Sequence, residues 1–278
     1  MLEISPKMTS KRLDSLPQGK GSCVELLEPK NVQKILLLNP NCTELMTVNC
    51  IKMLEQHLPP DVTVYGYTAP KTAPTTVEGH LDGVLSSADT IRDAYEMIEQ
   101  VDACLVACFS DHPLINCIRE EFDMPTCGIM EAAMYSARII GGRFGIVTTV
   151  YRSSIRHEDA VRAYGLAGNC AGLLSTGLKV AELHTKPRDE VLATMKSVAT
   201  TLVLDRDADT ILLGCAGMTD MKQAVEQAVE PYGTIVIDGV VAGVNLLSGI
   251  VRSGLKTSKR GLFCSSAESR QSRGQDWL

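Results

Sequence analysis

Two cysteines, Cys108 and Cys215, occupy matching positions along this chain. Each is the last residue of a short apolar run that begins with aspartate, over 102–108 in the first case and 209–215 in the second. A helix-start segment follows each thiol, and the oriented N–H groups of such a segment lower the pKa of a thiol. Two thiols on opposite sides of one cleft are suited to moving a proton from one face of a carbon atom to the other.

A second pair of apolar runs, over 34–39 and 143–148, recurs at nearly the same separation, and each run also ends in a polar loop. This recurrence indicates two similar halves that face each other. Runs of Val, Ile and Leu without polar alternation are typical of parallel strands buried on both faces. Ligands bind at the carboxyl ends of such strands, so we expect Asn39, Thr148 and the two thiols to converge there.

Short apolar runs alternate with longer amphipathic ones along the chain, which predicts βαβ units and an α/β fold. Strands are predicted near 34–38, 62–67, 102–107, 144–148, 209–213 and 234–238, and helices near 43–57, 82–99, 112–122, 130–140, 152–163, 187–205, 217–229 and 239–253.

The composition of the two ends differs from that of the middle. Residues 1–33 and 256–278 are polar and rich in Ser and in Lys or Arg, which predicts a flexible N-terminal extension, with a short ordered piece near 24–27, and a flexible C-terminal tail. The remaining chain divides into a first lobe, 34–128 with 239–255, and a second lobe, 129–238.

Composition also excludes several classes of function. A net charge of −6 and the lack of a basic stripe argue against a nucleic-acid partner. No apolar run approaches the roughly 20 residues that span a bilayer, and the N-terminal residues lack the apolar core of a secretory signal. We therefore expect a cytoplasmic protein whose ten cysteines are free thiols.

Other uses of cysteine fit the spacing less well. Zinc sites use close pairs such as Cys-x-x-Cys, whereas Cys104 and Cys108 have three residues between them and share one face of a strand. His112, the nearest histidine, has no evident orienting partner for a Cys–His pair, and no Gly-x-Ser-x-Gly elbow is present. Cysteines outside polar loops, such as Cys127 and Cys170, are interpreted as packing residues.

The residues around both thiols, taken with four other segments, resemble the aspartate/glutamate racemase superfamily and, within it, the hydantoin and allantoin racemases. The matching segments extend over most of the chain, and their combination is specific although each is short. They are Asn39-Pro-Asn41, Pro74-Thr-Thr-Val-Glu-Gly79, Cys108-Phe-Ser-Asp111, Gly128-Ile-Met-Glu131-Ala132, Val147-Thr-Thr149 and Gly214-Cys-Ala-Gly-Met218.

The resemblance implies two pseudo-symmetric α/β lobes, each a four-stranded parallel sheet flanked by helices, with the active site between them. It implies no cofactor and no metal, and it makes Cys108 and Cys215 the catalytic pair. Backbone N–H groups after each thiol are then candidates for holding the charge of an enolate. The residues expected to bind substrate are Asn39, Phe109, Ser110, Thr148, Tyr151, Ala216 and Gly217.

The residues after each thiol bear on the choice of substrate. Amino-acid racemases of this superfamily carry Cys-Asn-Thr and Gly-Cys-Thr-His, whereas this chain has Phe109-Ser110 and Ala216-Gly217. These different residues after each thiol suit the binding of a flat, neutral imide ring better than the binding of a zwitterion. The sequence therefore predicts a cofactor-independent racemase of 5-substituted hydantoins, with allantoin as the natural substrate. His112 stands where the superfamily pattern often has proline.

Three alternatives stay open from the sequence. Two are chemistries of the same superfamily, namely amino-acid racemisation and maleate isomerisation by covalent addition of a thiol. The third is a non-catalytic protein that binds a ureide, although a binding protein needs neither thiol. The expected partner is a small hydantoin or ureide rather than nucleic acid or membrane, and we expect a homo-oligomer.

Overall fold

The computed structural model describes residues 22–25 and 33–275, which form two α/β lobes. The sheet of the first lobe has the strand order β1-β3-β2-β4-β5. Strands β2 to β5 are parallel, and β1 pairs antiparallel with β3 at the edge. These strands are β1 (Ser22–Glu25), β2 (Gln33–Asn39), β3 (Val62–Thr68), β4 (Ala103–Val106) and β5 (Thr126–Gly128).

The sheet of the second lobe is entirely parallel, with the order β7-β6-β8-β9. In both sheets the chain crosses from strand to strand through helices, as parallel pairing requires. The strands are β6 (Phe144–Thr148), β7 (Cys170–Ser175), β8 (Thr210–Leu213) and β9 (Ile235–Ile237).

Ten α-helices and three short 3₁₀ helices lie in the described part of the chain. The α-helices are α1 (Glu44–Leu54), α2 (His80–Ile98), α3 (Pro113–Glu121), α4 (Ile129–Ile140), α5 (Tyr151–Ala163), α6 (Glu182–Thr185), α7 (Arg188–Arg206), α8 (Lys222–Val229), α9 (Gly239–Arg252) and α10 (Ala267–Ser272). The 3₁₀ helices are Ala167–Asn169, Ala216–Met221 and Glu230–Tyr232.

The inner strands of each sheet are buried on both faces, which explains their unbroken apolar sequences. In β2, Ile35 and Leu37 pack towards one face and Leu36 and Leu38 towards the other, and all four are fully buried. The core beneath Ile35 extends through α4 and α9, which pack on each other, as far as Ile146 of β6. The two lobes therefore share one continuous core, and the carboxyl ends of both sheets border the same cavity.

The six strands predicted from the sequence correspond to β2, β3, β4, β6, β8 and β9, and the α/β fold with four parallel strands in each lobe is confirmed. The sequence did not predict β5, which has only three residues, or the half-buried edge strand β7. The helix predicted over 217–229 is divided into the 3₁₀ helix Ala216–Met221 and α8. Strand β1 overlaps the short ordered piece expected near 24–27. Apart from Gln33, which begins β2, the rest of the predicted N-terminal extension lies outside the described residues.

The C-terminal segment is more structured than its composition suggested. A flexible tail was expected from residue 256, yet residues 256–275 include α10 and lie against α3. The Lys259 ammonium donates to the backbone carbonyls of Arg119, Glu120 and Phe122, the unpaired acceptors at the end of α3. Arg270 forms an ion pair with Glu121 in which both side chains are largely buried.

A partly buried ion pair fixes the position of α3 against the rest of the first lobe. The Arg119 guanidinium donates to both carboxylate oxygens of Glu131 in α4, at 3.0 and 2.8 Å, and to the carbonyl of Thr126 in β5, at 2.9 Å. This bidentate geometry makes Glu131 a structural residue that holds α3, α4 and β5 together.

Because thiols are buried in this core, the free energy of unfolding decreases as the pH becomes alkaline. Burial raises the pKa of Cys50, Cys104 and Cys127 far above the usual range, so these thiols stay protonated in the folded protein. The unfolded chain loses the same protons above about pH 8.5, and each such thiol lowers the free energy of unfolding by about 1.4 kcal/mol per pH unit from there upward.

We expect Cys104→Ala to reduce the free energy of unfolding by about 1 kcal/mol at pH 7 and to make its alkaline decline shallower by about 1.4 kcal/mol per pH unit. Urea titrations between about pH 7 and 10, under reducing conditions, measure both quantities. Cys264→Ala is the control, because Cys264 is exposed and its replacement should leave the slope unchanged. An unchanged slope in Cys104→Ala would contradict this account.

Candidate active site

A cavity lies between the two lobes at the carboxyl ends of their sheets. Its lining includes the loop after β4, the loop after β8, the start of α5 and the loop that leads into α2. Cys108 and Cys215 both line it, one from each lobe. Burial raises the pKa of Cys215, and the charge of a Cys108 thiolate raises it further, so the two thiols are close enough to influence each other's ionisation.

Cys108 lies on the loop between β4 and α3. The hydroxyl of Ser110 is 3.2 Å from the Cys108 sulfur, and the Ser110 N–H donates to the Cys108 carbonyl at 2.9 Å. The following helix begins only at Pro113, with His112 as its N-cap, so the prediction that Cys108 stands at a helix start is wrong. Burial raises the pKa of the Cys108 thiol, while the Ser110 bond and the positive charge of Arg156 lower it.

Cys215 lies two residues beyond β8 and is the N-cap of the 3₁₀ helix Ala216–Met221, as the sequence predicted. The Gly217 N–H donates to its sulfur at 3.3 Å. This bond lowers the pKa of the thiol, but burial has the larger effect and raises it to about 12. The helix start thus lowers the pKa of Cys215 as expected, but the net shift is upward because desolvation of the thiolate exceeds the stabilisation by one N–H group.

The backbone next to Cys215 depends on two glycines. A Cβ on Gly214 would stand 2.5 Å from the carbonyl oxygen of Val147, so only glycine lets β8 run this close to β6 at the edge of the cavity. A Cβ on Gly217 would stand 3.2 Å from Nε2 of His184 and 3.5 Å from the Cys215 sulfur. Gly217 thus contributes its N–H and leaves space for the imidazole, and it does not line the cavity.

The substrate-binding residues predicted from the sequence divide into two groups. Phe109, Ser110 and Ala216 line the cavity beside the thiols, whereas Asn39 and Thr148 are fully buried behind it. The Asn39 amide donates to the Thr47 hydroxyl and the Thr43 carbonyl, and its oxygen accepts the Asn41 N–H. Asn39 therefore shapes the loop that presents Asn41 to the cavity.

At the end of β6, too, the residue that lines the cavity is a neighbour of the one predicted from the sequence. The Thr148 hydroxyl is 2.6 Å from that of Ser154 and bonds the Leu174 carbonyl, so it joins β6 to α5 and β7. Thr149 lines the cavity in its place. Tyr151 was expected at the site, but its side chain is 75% exposed on the outer face of α5 and does not line the cavity.

Helix α5 contributes three cavity residues that the sequence analysis did not identify, namely Ser153, Arg156 and His157. The ring of His157 packs edge-on against Phe109, with centroids 5.4 Å apart. Burial lowers the pKa of His157 to about 4, so the imidazole is neutral at pH 7. Spacing at positions 153, 156 and 157 is that of one helix face, but such spacing occurs on every amphipathic helix and did not distinguish these residues.

The loop before α2 closes another side of the cavity. Thr76, Val77 and Glu78 line the cavity from this loop, which lies within the segment from Pro74 to Gly79 that resembles the racemase superfamily. The Asp82 carboxylate accepts the N–H groups of Glu78 and Gly79, both at 2.9 Å, and so fixes the loop to the first turn of α2.

His112 is a structural residue rather than a partner of Cys108. Its ring accepts the Leu114 N–H at 3.3 Å and lies 3.1 Å from the Ser86 hydroxyl in α2. Burial lowers its pKa to about 4. Among residues 22–25 and 33–275, no cluster of three or more His, Cys, Asp or Glu side chains is arranged to hold a metal ion, and no helix is long and apolar enough to cross a membrane.

Comparison with known proteins places this fold and cavity in one family. Residues 35–247 match the model of the Asp/Glu/hydantoin racemase family. An uncharacterised protein of Schizosaccharomyces pombe is 41% identical over 231 residues, which cover 83% of this chain and 97% of that protein. A hydantoin racemase of Pseudomonas sp. is 33% identical over 227 residues, with 81% of this chain and 89% of that protein covered.

A solved structure agrees with these sequence matches. The allantoin racemase of Klebsiella pneumoniae superposes with a TM-score of 0.76 and 29% identity, over 84% of this chain and 93% of that one. The sequence match and the structural match both cover the two lobes and the cavity between them. The chain therefore belongs to the Asp/Glu/hydantoin racemase family, whose racemases are isomerases.

Proposed function

We propose that this protein racemises 5-substituted hydantoins, with allantoin as its natural substrate, by transferring protons to and from C5. The observation that carries the proposal is the pair of thiols that line one cavity, one from each lobe, on equivalent loops after β4 and β8. Similarity to proteins described as hydantoin racemase and allantoin racemase supports the choice of substrate.

The reaction needs one thiolate and one thiol on opposite faces of C5. The thiolate removes the C5 proton, and the electron pair of the C–H bond moves into an enolate whose charge lies on the C4 oxygen. The thiol then donates its proton to the opposite face and becomes the thiolate. For the other enantiomer Cys108 and Cys215 exchange roles, so the same pair interconverts both forms.

The surroundings of the thiols favour a flat, neutral ring. Phe109 and Ala216 follow the two cysteines directly and present apolar surface to the cavity. A zwitterion would need polar partners for both its carboxylate and its ammonium group, whereas an imide ring loses less on desolvation. Asn41, Thr149 and Ser153 offer amide and hydroxyl groups for ring N–H and carbonyl groups.

We expect Cys108→Ser and Cys215→Ser each to lower racemisation on the order of a thousandfold, because a hydroxyl is much less acidic than a thiol. Each variant should still exchange the C5 proton of one enantiomer with D₂O, since one base can remove and return a proton on the same face. The two variants should act on opposite enantiomers. Polarimetry and NMR of C5 deuteration, run on the same samples, measure the two processes separately.

Cys264→Ser is the control for these variants, because it removes an exposed thiol outside the cavity. It should racemise and exchange like the unmodified protein. If either Cys108→Ser or Cys215→Ser keeps substantial racemisation, the two-thiol mechanism is wrong. Turnover by covalent addition to maleate would instead support the isomerase chemistry of the same superfamily.

The choice of substrate gives a separate prediction. Single enantiomers of allantoin and of a 5-alkylhydantoin should lose optical rotation rapidly, while L-aspartate and L-glutamate at equal enzyme concentration should stay near the uncatalysed rate. The physical reason is the apolar surface of Phe109 and Ala216 directly beside the two thiols, where a charged ammonium or carboxylate group loses more on desolvation than a neutral ring. Efficient turnover of an amino acid without any effect on hydantoins would overturn the substrate assignment. Binding of allantoin without turnover would indicate a non-catalytic ureide-binding protein.

A further inference from the structure

Each of the two thiols has one hydrogen-bond partner, which belongs in both cases to the residue two positions later. The Gly217 N–H donates to the Cys215 sulfur at 3.3 Å, and the Ser110 hydroxyl lies 3.2 Å from the Cys108 sulfur. No other group among the described residues forms a hydrogen bond with either sulfur. The two lobes thus support their thiols in equivalent places, one with a backbone group and the other with a side chain.

The different donors follow from the different backbone after each thiol. Cys215 is the N-cap of the 3₁₀ helix Ala216–Met221, so the Gly217 N–H has no carbonyl partner within that helix and donates to the sulfur. After Cys108 the chain turns back on itself, and the Ser110 N–H donates to the Cys108 carbonyl at 2.9 Å. Because this N–H is already used, the Ser110 side chain supplies the contact with the Cys108 sulfur instead.

The surroundings of Ser110 leave its hydroxyl to this one contact. Ser110 is buried in the wall of the cavity, and its hydroxyl forms no other hydrogen bond with the described residues. A hydroxyl has one proton to donate and a thiolate has none, so an ionised Cys108 sulfur can only accept that proton. The bond accordingly lowers the pKa of Cys108, although burial has the larger effect and raises it.

Other charged and titratable groups face this part of the cavity from several elements. They are Arg156 and His157 on α5, Glu78 before α2, Lys179 after β7, and Asp111 and His112 on the loop after β4. Burial lowers the pKa of both histidines to about 4, so these two rings are neutral at pH 7. None of the six side chains forms a hydrogen bond with the Ser110 hydroxyl, so a change of that hydroxyl removes no contact of theirs.

We propose that the Ser110 hydroxyl is the positioning donor of Cys108, equivalent to the Gly217 N–H at Cys215, so that each lobe supports its own thiol independently. For its catalytic meaning this inference rests on the proposed function. The role differs from the substrate-binding role expected of Ser110 from the sequence, because the hydroxyl serves the sulfur and not the hydantoin ring.

Ser110 keeps its own proton throughout the turnover. When the Cys108 thiolate removes the C5 proton, an S–H bond forms and the electron pair of the C–H bond passes to the C4 oxygen. In the opposite direction the Cys108 thiol gives its proton to C5 of the enolate and becomes a thiolate, which accepts the Ser110 hydroxyl again. Ser110 therefore assists proton transfer at the Cys108 face alone, in both directions.

Exchange of the C5 proton with D₂O, rather than racemisation, reports which face of the site is affected. Two enantiomers have equal free energies, so any variant changes kcat/KM for the two directions of racemisation by the same factor. Exchange by a single thiol is free of this restriction. Cys215→Ser retains only Cys108 as the base, and Cys108→Ser retains only Cys215.

We expect the addition of Ser110→Ala to lower C5 exchange by Cys215→Ser about tenfold, because a hydrogen bond to a charged sulfur is lost. The same addition to Cys108→Ser should change exchange less than about twofold, since Cys215 keeps the Gly217 N–H. Ser110→Thr retains a hydroxyl and should restore most of the exchange by Cys215→Ser. A hydroxyl that binds the ring would serve both faces, and its loss would reduce exchange in both single-thiol proteins.

Alkylation of the intact protein tests the same contact without any substrate. Iodoacetamide at a series of alkaline pH values, with peptide mass spectrometry, gives the rate at each cysteine relative to exposed Cys264. In Ser110→Ala the pH midpoint of Cys108 should rise by about one unit, while the rates at Cys215 stay the same. Ser154→Ala is the matched control, because it removes a buried hydroxyl that bonds another hydroxyl and no sulfur.

The outcomes distinguish this inference from the proposed function. An unchanged Cys108 midpoint in Ser110→Ala, or an equal loss of exchange in both single-thiol proteins, would overturn the role of Ser110. A Cys108 rate that falls equally at every pH would show a change of access alone and would overturn it as well. A midpoint that rises as expected, in a protein that racemises no hydantoin, would support the role of Ser110 and reject the proposed substrate.

Discussion

Desolvation of the two thiols is the constraint on which the site depends. In the reaction proposed above, water must be excluded so that the enolate is not lost, yet the same exclusion disfavours the thiolate that would start the reaction. The described structure shows both sides of this conflict, with burial as the largest influence on the pKa of Cys108 and of Cys215. Ser110, the Gly217 N–H and the positive charge of Arg156 each offset a part of it.

The shared core explains how two lobes hold these groups in place. Helices α4 and α9 pack on each other between the sheets, and their side chains form one apolar cluster with residues of both lobes. Relative movement of the lobes would have to open this cluster, which is costly because protein interiors are close-packed. Placement of one thiol from each lobe is therefore set by the same contacts that make the two halves a single unit.

The sequence predicted the fold and the convergence of Cys108 and Cys215 on one cavity, because both leave strong local patterns. Parallel strands buried on both faces give unbroken apolar runs, and the loops after β4 and β8 repeat a cysteine at the same place. It predicted the remaining site poorly, because neighbouring polar residues look alike until their hydrogen bonds are known. The side chains of Asn39 and Thr148 form hydrogen bonds with other buried residues. Asn41 and Thr149 line the cavity instead. Arg156 carried no signal, since an arginine on an amphipathic helix is ordinarily solvated.

The ordered C-terminal segment has a consequence for how the chain tolerates change. It lies beyond residues 35–247, which match the family, and its contacts with Arg119, Glu121 and Phe122 are at the far end of α3 from the Cys108 loop. The nine residues of α3 separate the two ends by about 13 Å. Insertions or substitutions in this segment thus change the contacts that hold the end of α3. The shape and charge of the cavity are determined by other residues. The segment is a place where the protein can acquire new surface properties without altering its chemistry.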